Sequence, residues 1–147
     1  MVEATFIASG ETSTEALQMA ASLSLKVLLG ADSFVQSRKL DVFCDNIKDA
    51  NELNEILWDM PKYSIIDHGL VSQEEDTLVQ IGYPGTKFSL ESDYIINVSP
   101  DLPKNLDTYK SYIQLVIMDG SILRERAADT WTQCKNLGLD AKFLKSL

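Results

Sequence analysis

The chain has a single histidine, His68, so any serine- or cysteine-nucleophile mechanism built on an imidazole base must use it. Its neighbour Asp67 is badly placed to orient the ring, because adjacent residues of a strand point to opposite sides. Beside Gly69, the histidine reads more simply as a structural residue that caps a strand or bonds a carbonyl. Asp41, Asp45, Asp49 and Glu52 are the next candidates, as ligands of a hard cation. They span a strand end and a helix start, where the helix dipole favours acids without any metal. Cys44 and Cys134 match neither zinc-cluster nor C-x-x-C spacing and read as reduced, buried thiols. A phosphate cradle needs G-x-G-x-x-G or G-x-x-x-x-G-K-[ST]. Ser9-Gly10-Glu11-Thr12-Ser13 offers one glycine and places Glu11 where phosphate would approach. Gly120 and Gly138 read as a turn and a helix stop. No cofactor and no metal are expected, and a small nucleotide-binding protein or hydrolase using His68 stands as the alternative function.

Recognition of another protein is the chemistry the C-terminal third supports better. On a helix, Arg124, Ala128, Thr132 and Lys135 fall on one stripe, with the two cations about 16 Å apart at roughly 1.5 Å per residue. Small residues between two cations make a shallow basic groove, and Trp131 beside it supplies either an aromatic wall or a core residue. Such a groove suits an acidic peptide with an apolar end. The charge distribution agrees: residues 1–119 carry 8 Lys+Arg against 19 Asp+Glu, whereas residues 120–147 carry 5 against 3. Lys and Arg gathered on a last helix for solubility and dipole reasons would give the same asymmetry.

The elements that must position these residues follow from periodicity. Ala4-Thr5-Phe6-Ile7-Ala8 reads as a first strand ending at Ser9-Gly10. A helix runs from Thr12 to about Gln36, with Thr12 and Glu15 at capping-box spacing, Ser13 or Ser22 as alternative starts, Phe34 and Val35 in its apolar pattern, and Gly30 as a break inside it. Leu40-Asp41-Val42-Phe43-Cys44 is a second strand. Asp45 or Asn46 then caps a helix whose Ile47, Ala50, Leu53, Leu57 and Trp58 should face the sheet, and Pro61 ends it. Ser64-Ile65-Ile66 and Leu78 to Tyr83 are strands separated by the acidic turn Gln73-Glu74-Glu75-Asp76, followed by strands at Tyr94 to Val98 and Tyr112 to Ile117. Ser121 caps a last helix with Leu123, Ala127, Trp131 and Cys134 in its apolar stripe, stopped by Gly138. The order β-α-β-α-β-β-β-β-α predicts a Rossmann-like α/β domain: a mixed, mainly parallel central sheet flanked by helices, its closely spaced middle strands open to antiparallel pairing.

With 147 residues, 45% hydrophobic and 24% charged, residues 1–147 are expected to form one domain with a core that needs no disulfide. Net charge of −9 argues against strong direct binding to nucleic acid. The start lacks a basic segment followed by an apolar run, and no stretch reaches about 18 apolar residues, so neither a signal peptide nor a membrane span is expected. A cytoplasmic location is the simplest inference.

Residues Asn54 to Leu70 carry the pattern L-W-x-x-P-x-x-S-[FI]-[IV]-x-H-x-L through Leu57, Trp58, Pro61, Ser64, Ile65, Ile66, His68 and Leu70 without a gap. In this block the sequence resembles the chi subunit of bacterial DNA polymerase III. Ala4-Thr5-Phe6, Val42-Phe43-Cys44-Asp45, Val79 to Tyr83 and Asp93-Tyr94-Ile95-Ile96-Asn97 follow in family order, so the resemblance spans nearly the whole chain. It implies a non-enzymatic α/β subunit of the replisome that pairs with psi, and so joins the clamp loader. It also implies a grip on the acidic, phenylalanine-terminated tail of single-stranded-DNA-binding protein by basic and aromatic residues of the last helix. On that alignment Arg124, Trp131 and Lys135 keep the basic, aromatic and basic character, while Ala128 and Thr132 replace cations of better-known members. Tail binding that is weaker, redirected or lost to drift, leaving only the role with psi, follows from those two losses. Leu57, Trp58, Pro61, Ser64 and His68 are read as structural, with Trp58 packed on the sheet and His68 fixing the turn beyond the third strand.

Overall fold

The computed structural model describes residues 2–31, 37, 39–59, 67–71 and 77–145. Its strands are β1 (Glu3–Ala8), β2 (Leu40–Phe43), β3 (His68–Leu70), β4 (Val79–Gly82), β5 (Tyr94–Asn97), β6 (Ser111–Val116) and β7 (Asp140–Leu144), and its helices are α1 (Ser13–Leu29), α2 (Ile47–Asp59) and α3 (Ile122–Asn136). A 3-10 turn covers Leu106–Thr108.

The described strands form one sheet in the order β3-β4-β2-β5-β6-β1-β7. Every pairing is parallel, from Leu40 opposite Val79 and Tyr94 in the middle to Glu3 opposite Ser111 and Asp140 near the other edge. The antiparallel option for the middle strands is therefore not taken. The link from β5 to β6, which contains the 3-10 turn, carries the chain back to the end where β5 began, and a strand started there runs parallel. β7 is an element that periodicity did not announce, since the chain beyond Gly138 mixes charges with Phe143 and Leu144.

Alternation along the strands sorts the core into two layers. Leu40, Val42, Ile81, Ile96, Ile113 and Leu115 point to the α1 and α2 side, which is mainly apolar. Ala4, Phe6, Ile95, Tyr112 and Val116 point to the side covered by α3 and the 3-10 turn. There the strands also bury Asp41, Gln80, Asn97 and Gln114, each at 2% exposure or less.

The caps explain the helix limits. Thr12 Oγ1 accepts the Glu15 N–H at 3.2 Å, and Glu15 Oε1 accepts from the Glu11 N–H and the Thr12 hydroxyl, each at 3.2 Å. This is the expected capping box, and it selects Ser13 as the first helical residue. Thr12→Ala is expected to lower stability by about 1 kcal/mol, read as a lower urea midpoint with an unchanged slope. Gly30, at φ +64°, closes α1 by donating back to Lys26 and Val27, so it is the stop and not an interior break. Phe34 and Val35 lie outside the described residues, as do Pro61, the strand expected at Ser64-Ile65-Ile66 and the turn Gln73 to Asp76. The first strand after α2 in the described residues is β3, which contains His68, so the histidine belongs to a strand and not to a turn beyond one.

Asn46 Oδ1 accepts the Asp49 N–H at 2.8 Å and caps α2, whose Ala50, Leu53 and Leu57 are buried. Ile47 and Trp58, expected on the same face, are 53% and 60% exposed. At 3.6 residues per turn both lie roughly 90° around the axis from the buried Ala50–Leu53–Leu57 line.

Candidate functional site

α3 is capped from the preceding turn and held to the rest of the fold by its buried line and its flanks. The Asp119 carboxylate accepts the N–H groups of Ser121, Leu123 and Arg124 at 2.9, 3.2 and 3.1 Å, and those bonds hold its carboxyl below the usual range. The cap expected from the Ser121 side chain is thus supplied by Asp119, two residues earlier. The buried line of the helix is Ala127, Thr130 and Cys134, and the Thr130 hydroxyl donates to the Pro100 carbonyl at 2.5 Å. On one flank the Arg126 guanidinium bridges Asp45 at 3.0 Å and Asp101 at 2.7 Å.

The other flank opens into a groove of about 290 Å³. Phe6 of β1 and Val116 of β6 line it together with Met118, and Trp131 of α3 and Phe143 of β7 contribute its aromatic walls. Trp131 meets Phe6 edge-on, with centroids 5.0 Å apart and planes at 85°. Arg124 and Ala128 complete the lining. Lys135 Nζ lies 4.9 Å from the centre of the Trp131 ring and donates to the Ala141 carbonyl at 3.4 Å. Neither Arg124 nor Lys135 makes an ion pair among the described residues.

The groove gathers Arg124, Ala128 and Trp131, with Lys135 against the Trp131 ring. Thr132 is not part of the lining; its hydroxyl turns back to the Ala128 carbonyl. Trp131 is half-buried, a wall and a core residue at once. Phe143 escaped sequence reading because β7 did; the signal was the Ala141-x-Phe143 alternation, which the neighbouring lysines obscured.

The other candidates are dispersed. His68 is 3% exposed on edge strand β3, with the Trp58 ring 4.8 Å from its own and tilted at 59°. Trp58 therefore meets the sheet only at its edge, covering His68 from outside while staying mostly exposed. Asp67 is engaged elsewhere, accepting from the Leu78 N–H at 3.3 Å. A buried imidazole under an indole is not poised as a general base, which removes the observation on which a hydrolase reading depended. Asp41, Asp45 and Glu52 are held by Tyr109, Arg126 and Thr14 respectively. Among the described residues no three metal-ligating side chains converge. Both cysteines are free and buried, and burial pushes each thiol above its usual range, so neither is a thiolate near neutral pH.

Parallel α/β sheets usually bind ligands in the crevice beyond the carboxyl ends of the strands. Here that region is occupied by side chains. Asn97 donates to Gln114 at 2.8 Å, Gln114 donates to the Ser99 carbonyl at 2.7 Å, and the Tyr112 hydroxyl also donates to Gln114. The Asp45–Arg126–Asp101 bridge lies alongside, joined by the Ser99 hydroxyl at 3.0 Å from Asp45. The groove on the outer flank of α3 lies apart from this network.

Over residues 1–142, the sequence matches the family DNA polymerase III chi subunit, HolC. The chain belongs to the chi subunit family. Membership places it in DNA replication as a component of DNA polymerase III. No curated protein matches the chain closely enough to count as a relative. Of the chi signature, Leu57 and His68 are buried and Trp58 is exposed, while Pro61 and Ser64 lie outside the described residues. Among the described residues no helix is long and apolar enough to cross a membrane.

Proposed function

We propose that this chi-family protein is a non-enzymatic adaptor of the bacterial cytoplasm, which joins the clamp loader through psi and holds the acidic tail of single-stranded-DNA-binding protein through α3. The observation that supports the tail reading is the groove itself. It is a mainly apolar slot lined by three aromatic rings, with Arg124 also on its lining, in a chain of net charge −9. A phenylalanine side chain fits the slot, and its terminal carboxylate reaches Arg124. Lys135 adds positive charge for the acidic residues before it. Ala128 and Thr132 supply no charge, so affinity rests more on apolar burial and less on ion pairs. Strong direct binding to nucleic acid is disfavoured by the same net charge.

Psi is assigned to the opposite side of the molecule. Exposed Trp58, at the end of α2, stands against His68 of edge strand β3. An exposed indole there is an anchor of the kind that carries interface energy. Trp58→Ala is expected to weaken psi binding at least tenfold in a co-purification or calorimetric assay and to leave tail binding unchanged.

The experiment that tests the adaptor reading is gel filtration with full-length single-stranded-DNA-binding protein and with a form lacking its acidic tail. Co-elution with the first and not the second is expected. Co-elution with both, or with neither, contradicts it; in the latter case only the role with psi remains.

A further inference from the structure

We infer that Arg126 is a positioning residue for the α3 groove: by bridging Asp45 and Asp101 it fixes the roll of α3, and so the aim of Arg124 and Trp131. The inference rests on the tail-binding reading and adds to it a residue that never touches the peptide.

The geometry has three parts. The line that α3 buries against the sheet is small: Ala127, Thr130 and Cys134. The larger apolar residues of the helix, Leu123 and Trp131, pack on the core but are only partly buried, so interdigitation alone fixes its rotation incompletely. Arg126 is placed to supply what packing does not. Its Nε and Nη2 reach the two Asp101 oxygens at 3.1 and 2.7 Å, and Nη1 and Nη2 reach the two Asp45 oxygens at 3.4 and 3.0 Å. Two carboxylates from two different segments, one just before α2 and one just after β5, grip one planar group. Arg126 also stands well around the helix from the groove. At 3.6 residues per turn it is roughly 140° from Trp131 and roughly 160° from Arg124 and Ala128, with the buried line between.

A clamp on one flank thus sets the angle of the other. Side-chain tips lie about 5–6 Å from a helix axis, so a roll of about 20° moves them by about 2 Å. Binding geometries are held to roughly 0.5 Å. A roll of that size would carry the Trp131 ring off Phe6 and narrow or open the slot opposite Phe143. Exposed single ion pairs rarely matter, but a bidentate guanidinium shared between two carboxylates, with a side-chain exposure of 34%, is the arrangement in which they do.

The test compares wild type, Arg126→Ala, Arg126→Lys and the Asp45→Asn, Asp101→Asn double variant. It reads the affinity for a short acidic peptide ending in phenylalanine and the Trp131 indole N–H signal by NMR. Arg126→Ala and the double variant are expected to lose at least tenfold in affinity, with far-ultraviolet circular dichroism unchanged and the Trp131 signal shifted even without peptide. Arg126→Lys should recover part of the affinity, because an ammonium holds one carboxylate at a time. Should Arg126→Ala fail to fold, Asp101→Asn alone removes one arm of the clamp and is expected to give a smaller loss of the same kind. Unchanged affinity in a folded Arg126→Ala protein overturns the inference while leaving tail binding intact. If wild type itself does not bind the peptide, tail binding fails, and the free-state Trp131 signal decides: shifted in Arg126→Ala it supports the clamp, unshifted it overturns it.

Discussion

Replacing Arg124 and Lys135 together with glutamate is expected to abolish binding of an acidic, phenylalanine-terminated peptide, with a loss of more than a hundredfold. Each charge-assisted contact removed costs about 1.5–3 kcal/mol, or roughly tenfold or more, and the inserted carboxylates add repulsion against an acidic ligand. Neither residue makes an ion pair among the described residues, so the fold should tolerate the change. The loss therefore reports the groove and not a collapse of α3. Phe143→Ala separates the apolar part of the site from the charged part. Its ring is 44% exposed on edge strand β7, and removing that wall should weaken the peptide about tenfold while leaving the salt dependence of binding as it was. Calorimetric titration at two ionic strengths distinguishes the two losses. Full binding by the double glutamate variant would place the tail elsewhere.

A second large effect concerns Asp41, the carboxylate buried on the polar layer of the sheet. Its Oδ2 accepts the Tyr109 hydroxyl at 2.5 Å and its Oδ1 the Ser92 hydroxyl at 2.9 Å. Burial nevertheless outweighs these bonds and the nearby Lys39, and pushes Asp41 up from 3.8 to about 6. An acid whose folded pKa is raised holds its proton more tightly in the folded state than in the unfolded one. Its stabilising contribution is complete below about pH 3.8 and is lost as pH rises through about 6. The difference amounts to about 3 kcal/mol at neutral pH. Asp41→Asn, an isostere of the neutral acid, should erase that slope and stabilise the protein at pH 7–8 by about 1–2 kcal/mol, the rest being lost with the charge-assisted bonds. Urea unfolding at pH 4, 6 and 8 measures it. Parallel profiles for wild type and variant would show that Asp41 does not titrate as its burial implies.

Sequence patterns reveal parts of this architecture and conceal others for physical reasons. Alternation placed most of the strands, and the Thr12–Glu15 spacing placed the start of α1, because both are set by residues close together in the chain. Strand direction is set by the path of the intervening loops, which is why the middle strands were open to either sense. Asp41, Asn97 and Gln114 sit at alternate strand positions, where polar residues normally face water. Their burial depends on α3 and on the 3-10 turn near Tyr109, which arrive from far along the chain. Trp58 beside Leu57 looked like part of one apolar face, and only the fold shows that the buried line ends at Leu57. The α3 stripe was visible as a helical pattern with a basic flank. Half of its groove was not, since Phe6, Val116, Met118 and Phe143 come from three strands and their ends. Arg126 was one basic residue among others until Asp45 and Asp101 were found around it.

Chemical-shift mapping by NMR reads out whether the outer flank of α3 takes hold of an acidic tail. On titration with a short acidic peptide ending in phenylalanine, the largest shifts should fall on Arg124, Ala128, the Trp131 indole, Lys135 and Phe143, with Trp58 and His68 unmoved. Shifts centred on Trp58 and edge strand β3, or no shifts at millimolar peptide, would contradict binding at that flank.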